Sequence, residues 1–125
     1  MKPTEANIGR LVDAFYARVR VDSLLGPIFA SKIADDDWPI HLAKLKRFWS
    51  SVMLGTGDYK GSPLTAHRGI PNLGPSHFNQ WLMLFEQAAN DVLEATMVQA
   101  FIDTASRIGD SLQISEVMLF RRSSA

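Results

Sequence analysis

From Ile8 to Val19 the apolar side chains Ile8, Leu11, Val12, Phe15, Tyr16 and Val19 fall at the i, i+3, i+4, i+7, i+8 and i+11 positions of an α-helix. A strand alternates with period two and cannot put such a series on one face, so this stretch excludes β-structure where it lies. The same period returns at Trp38, Leu42, Leu45, Phe48, Trp49, Val52 and Met53. It returns again at Phe78, Trp81, Leu82, Phe85, Ala89, Val92 and Leu93, then at Met97, Phe101, Ala105, Ile108 and Leu112. No strand pattern competes, and the chain is expected to be all-α with four substantial helices.

Their boundaries follow from capping chemistry. The first helix should run from about Thr4 to Val21. Asp35–Asp37 and Pro39 suit the first turn of a second, from Trp38 to about Leu54. Ser76 is placed to cap a third, and a fourth from about Thr96 carries a weakening Gly109. Leu24-Leu25-Gly26-Pro27-Ile28-Phe29 reads as a turn and short helical corner that carries Phe29 inward. No repeat or linker divides the sequence, so a single domain over 1–125 is expected, with an ordered core of about 4–118 and a frayed tail at 119–125 holding the solvated Arg121-Arg122 pair.

Between the second and third helices lie some twenty residues rich in Gly and Pro, broken only by a possible helical turn from Pro63 to His67. A simple bundle wants short connections, so a segment of this length in a small domain usually has a job. With 125 residues the chain can bury roughly two thirds of its unfolded surface. Its 13 basic and 13 acidic side chains cancel, leaving no field to attract a polyanion, so nucleic acid is not an expected partner. MKPTEANIGR lacks the apolar run of a signal peptide and no stretch reaches membrane-spanning length, so a cytoplasmic location without membrane contact is the expectation.

Cysteine is absent. That excludes disulfides, iron–sulfur clusters, thiolate-ligated or covalently attached haem, and cysteine nucleophiles. A zinc site fails on count and spacing, with no H-E-x-x-H and no carboxylate at a ligand interval from His67. No G-x-S-x-G supports a serine nucleophile, and GTGDYKG follows no strand and so makes no phosphate cradle. Attention falls on three histidines. His67 ends the only helix-like turn of the irregular segment, where a surface histidine is the ordinary reading and a ligand the alternative. His41 lies on an apolar stripe, where the ordinary reading is a half-buried ring bonded to a carbonyl. His77, in the first turn of the third helix, reads as packing or surface. Tyr16 and Trp81 also lie on inward stripes, and each buries an aromatic body whose polar tip needs a partner. Convergence of Tyr16, His41 and Trp81 from three helices would be harder to explain structurally than any one of them.

Four stretches together carry a resemblance: FYARVRVDSLLGPIF, WPIHLAKLKRFW, LGTGDYKGSPLTAHRGIP and HFNQWLMLF. In order and spacing, from about Leu11 to Leu93, the chain resembles the truncated haemoglobins of group III. The resemblance implies a shortened globin, a two-over-two helical sandwich around a haem that lacks the usual first globin helix. It implies that His67 is the proximal ligand of the haem iron and that His41, Tyr16 and Trp81 line the distal side. It also implies that Phe29 packs on the haem face and that Lys44 meets a propionate. A haem b held without covalent bonds needs an apolar slot and a cation at its mouth. Leu42, Leu45, Phe48, Trp49, Leu64, Ile70, Leu82 and Phe85 are the slot candidates, with Lys44 and the weaker Arg68 at the rim.

The function this implies is binding of O2, CO or NO at ferrous iron, with release slowed by distal hydrogen bonds. Tyr16 is expected as the main donor and Trp81 as the second, while His41 is either a third donor or a gate. An electron-donating reductase would be a partner, and the chain would be a monomer or weak homo-oligomer. Two rivals stand beside this reading. One is a peroxidase-like or NO-oxidising enzyme in the same pocket; the other is a cofactor-free helical interaction domain.

Overall fold

The computed structural model describes the backbone of residues 3–55 and 74–124, and the side chains of residues 3–55 and 74–110. Five α-helices account for the described regular structure, with no strand among the described residues. They are α1 (Glu5–Val21), α2 (Gly26–Lys32), α3 (Trp38–Leu54), α4 (Pro75–Val92) and α5 (Ala95–Ser124), and a 3-10 turn over Asp35–Asp37 leads into α3.

Helix α1 starts on a reciprocal cap. Thr4 Oγ1 accepts from the Asn7 N–H at 3.1 Å, and Asn7 Oδ1 accepts from the Thr4 N–H at 3.0 Å. Two of the four donors that a helix start leaves orphaned are thereby satisfied. The apolar stripe of α1 is wholly inside: Ile8, Phe15 and Val19 are 0% exposed and Leu11 and Val12 1%. Burying side chains of this size stabilises the fold by roughly 1.5–3 kcal/mol apiece. Against this stripe lie α2, α3 and α4, while α5 packs on α4.

Helix α3 spans the residues expected of it and closes at Gly55. There the backbone turns left-handed (φ +71°), a conformation that costs glycine nothing, and the Gly55 N–H bonds back to the Ser51 carbonyl at 3.1 Å. The start of α4 departs from expectation. Gly74 in extended conformation, not Ser76, is its N-cap, and Ser76 lies inside the first turn behind Pro75. The physical reason is His77. Its Nδ1 accepts from the Gly74 N–H at 3.0 Å, so the imidazole provides the returning half of a cap for which Gly74 has no side chain. His77 is half-buried in that role.

Aromatic rings knit the core. Phe15 of α1 meets Phe85 of α4 edge-on at 5.2 Å, Trp49 of α3 stacks on Phe85 at 5.1 Å, and Phe101 of α5 lies 6.2 Å from Trp49. Yet α3 and α4, which both lean on α1, approach one another's backbones at no more than isolated points. Both helices carry apolar side chains that are only half-buried and pack against the core: Leu42, Leu45 and Phe48 from α3, and Trp81 and Leu82 from α4. No described helix is long and apolar enough to cross a membrane.

Candidate functional site

Helix α1 carries the first polar tip into this region. Tyr16 follows Phe15 on the buried stripe and is 5% exposed. Burial pushes its phenol up to about 12, because the charged phenolate would lose its water, and a hydrogen bond to the Trp81 side chain opposes this only in part. An indole N–H can only donate, so the Tyr16 oxygen is the acceptor in that pair and its own hydrogen remains to be donated elsewhere. Trp81 reaches this point because it sits edge-on to Phe15 at 5.5 Å and stacks over Phe85, its neighbour one turn on, at 6.0 Å.

Helix α3 brings the second. The His41 ring stands at right angles to Tyr16, with centroids 6.2 Å apart. Phe29, delivered by α2 as the turn chemistry predicts, is half-buried and 6.0 Å from Tyr16. Tyr16, His41 and Trp81 therefore converge from α1, α3 and α4. Two groups beside them escaped the reading of the sequence. Trp38 is 3% exposed and packs edge-on against His41 at 5.3 Å, with Tyr16 6.1 Å and Phe29 6.2 Å away. The Arg20 guanidinium lies over Trp38, 4.6 Å from its centroid. The i, i+3 relation of Trp38 to His41 was the available signal for the first.

Asp22 is a third group to which the sequence assigns no role. Its carboxylate accepts from the Leu24 and Leu25 N–H groups at 3.0 and 2.9 Å and from Gln80 Nε2 at 2.7 Å. These bonds, led by the one from Leu25, hold it below the usual carboxylate range. One side chain thus closes the α1–α2 corner and ties it to α4 at the residue before Trp81.

The remaining expected residues divide into three sets. Leu42, Leu45, Phe48 and Leu82 are half-buried on α3 and α4, while Trp49 and Phe85, at 2% and 1% exposure, sit deeper in the core. Lys44 is exposed on α3. Its neighbour Lys46 turns to Asp13 of α1 instead, at 3.0 Å. His67, Leu64, Arg68 and Ile70 lie outside the described residues.

The described residues form an all-α fold with a buried tyrosine on the helix against which α2, α3 and α4 pack, and comparison with known proteins identifies that fold as a globin. The model of the bacterial-like globin family matches residues 4–112, and the chain belongs to that family as a truncated haemoglobin of group III. It is 38% identical over 111 residues to the Group 3 truncated hemoglobin ctb of Campylobacter jejuni, covering 87% of each chain. It also superposes on the crystal structure of a group III truncated hemoglobin from Campylobacter jejuni with a TM-score of 0.84, at 37% identity, over 90% of this chain and 93% of the other. Membership implies a haem-iron cofactor and a role in holding diatomic gases. The described residues fit such a group: a flat apolar disc suits the half-buried aliphatic and aromatic side chains that α3 and α4 carry.

Proposed function

We propose that the chain binds haem b without covalent attachment and holds O2, and also CO or NO, with release slowed by hydrogen bonds from the distal side chains. His67 is the proximal ligand in this reading. A neutral imidazole binds iron through one nitrogen while the other donates to an acceptor that fixes its orientation. Leu42, Leu45, Phe48, Leu82 and Phe29 provide the slot, with Leu64 and Ile70 from the intervening segment. Lys44 and Arg68 serve the propionates at its mouth. The haem iron supplies reversible coordination of a diatomic molecule, and this chain's own residues set how long that molecule stays.

The observation that carries the reading is the buried Tyr16 phenol, hydrogen-bonded to Trp81 and flanked by the rings of His41 and Phe29. With its proton retained to about pH 12, Tyr16 is a donor across the whole physiological range. A phenol O–H aimed at a polarised ligand lowers that ligand's energy by about 1 kcal/mol or more, and release slows accordingly. Trp81, expected as the second donor, has its single N–H on the Tyr16 oxygen and contributes by fixing that oxygen, and His41 faces Tyr16 from α3 as a further donor or as a gate. Keeping the iron ferrous calls for an electron-donating reductase as partner.

Absorption spectra of the purified protein, oxidised, reduced, and reduced under CO, test the assignment. His67→Ala should abolish stable haem incorporation or leave haem weakly held. A normal deoxy-ferrous spectrum in that variant would refute the proximal role, and a colourless protein that refuses added haem would favour the cofactor-free interaction domain. The concentration of donors around Tyr16 also suits polarising an O–O bond, which is the case for a peroxidase-like or NO-oxidising activity. Turnover of peroxide or NO well above that of free haem would establish that activity, whereas parity with free haem leaves a ligand binder.

A further inference from the structure

We infer that Trp38, clamped from outside by Arg20, is a positioning residue that sets the orientation of His41 and thereby the rate at which ligands enter. The inference rests on the distal assignment of His41 above, and it concerns residues for which that assignment has no use.

The geometry is a layered stack at the N-terminal end of α3. Trp38 and His41 are one turn apart, so their side chains project from one face of the helix. The edge of the indole meets the imidazole at 5.3 Å with the two planes at 87°. Two further rings hem the indole in, Tyr16 at 6.1 Å and Phe29 at 6.2 Å. Over Trp38 lies the Arg20 guanidinium at 4.6 Å, which a pronounced attraction between cation and π-face accounts for. Arg20 is steadied in turn by a 3.3 Å bond from Nη2 to Asp35 Oδ1, in the 3-10 turn just before Trp38. The Asp35 side chain is 93% exposed, so this ion pair orients the guanidinium while adding little energy of its own. A ring with neighbours at its edge and a cation over it has few rotamers left. An imidazole leaning on that ring inherits the restriction. Arg20 therefore controls, from the surface and through Trp38, how readily His41 swings.

The test uses the full chain loaded with haem, with the CO association rate followed by flash photolysis. Arg20→Gln removes the cation but keeps a stem over the indole, so the fold should stand, and a thermal melt run in parallel checks this. Loss of a cation–π contact at an exposed site corresponds to about a two- to fivefold change in a population or rate. Arg20→Gln should accelerate CO entry by that factor when His41 is present and leave the rate unchanged in a His41→Ala background. Trp38→Phe, which shortens the wall against His41, should accelerate entry at least as much and be equally silent without His41. A second readout needs no kinetics. In the reduced, CO-saturated protein, nuclear Overhauser contacts between the Trp38 and His41 rings should weaken in Arg20→Gln. An effect of the same size in both backgrounds, or an unchanged rate in Arg20→Gln while His41→Ala itself accelerates entry, overturns the inference. If neither His41→Ala nor Tyr16→Phe alters ligand kinetics, the distal assignment fails and takes this inference with it.

Discussion

Tyr16→Phe separates the role of the phenol from that of the indole bonded to it. The substitution keeps the ring, hence its contacts with Phe15 at 4.6 Å and Phe29 at 6.0 Å, and deletes a single oxygen. Two terms follow. On the ligand side the lost O–H donor is worth about 1–1.5 kcal/mol, which is a five- to tenfold faster O2 release. On the stability side the Trp81 N–H loses its acceptor at a site where the partner residue is 5% exposed, costing about 1–3 kcal/mol, towards the lower end because Trp81 itself is only half-buried. Trp81→Phe should then act in the same direction but more weakly, because the indole works by fixing the phenol oxygen. The double variant should release O2 no faster than Tyr16→Phe alone. Stopped-flow displacement of O2 by CO gives the rates, and thermal melts give the stabilities. An O2 off-rate in Tyr16→Phe within twofold of the parent refutes the phenol as donor. A larger effect from Trp81→Phe than from Tyr16→Phe refutes the order of the relay and makes the indole the direct donor.

Titration tests the same pair from the alkaline side. An ordinary tyrosine ionises near 10 and Tyr16 near 12, so the unfolded chain releases its proton first and folding stability falls as pH climbs between those values, by about 2–3 kcal/mol in all. Tyrosinate absorbance showing Tyr16 ionised at pH 10.5 in the folded protein would contradict this. At the acid end the sign reverses. Asp22 has a depressed pKa, so its stabilisation is complete above the ordinary carboxylate value and is lost as pH falls through the folded one. Asp22→Ala should cost about 1–2 kcal/mol at neutral pH and shrink that acid-side loss, as pH-dependent melts would register. The glycines of α2 and α5 should respond oppositely. A Cβ on Gly26 would lie 2.8 Å from the Arg20 carbonyl oxygen, so Gly26→Ala should destabilise by about 1–3 kcal/mol. On Gly109 the nearest side-chain atom, in Trp81, is at an ordinary 3.9 Å, so Gly109→Ala should gain about 0.5–1 kcal/mol of helix propensity. Denaturant melts check both.

Where local chemistry decides, the sequence was readable. Helix α1 carries its own cap at Thr4 and an unbroken apolar stripe, and α3 is bracketed by an acidic turn and Gly55, so both helices lie where period and capping put them. The sequence points to Ser76 for the start of α4 because serine is the stronger cap by side chain, whereas the N-cap is Gly74. Ranking Gly74 above Ser76 requires knowing that the His77 imidazole folds back on it, a contact that depends on the path of the chain into the helix. The inward direction of Tyr16, His41 and Trp81 was legible from their stripes, but their meeting was not. It depends on α1 lying against both α3 and α4, which is tertiary information. By sequence Trp38 is one more apolar residue of its stripe, since nothing in the order of residues reveals that Arg20, eighteen positions earlier, lies across it.

Phe15 and Tyr16 are adjacent in sequence, and both point into the protein from α1. The side chain that anchors the hydrophobic interior and the one proposed to grip the gas are consecutive links of a single rigid rod. Scaffold and chemistry therefore cannot be tuned apart. A repacking of Ile8, Leu11, Val12 or Val19 that rolled this rod by a few degrees would carry the hydroxyl along with it, so changes remote from the pocket, made only to improve thermal tolerance, would be read out as altered gas retention.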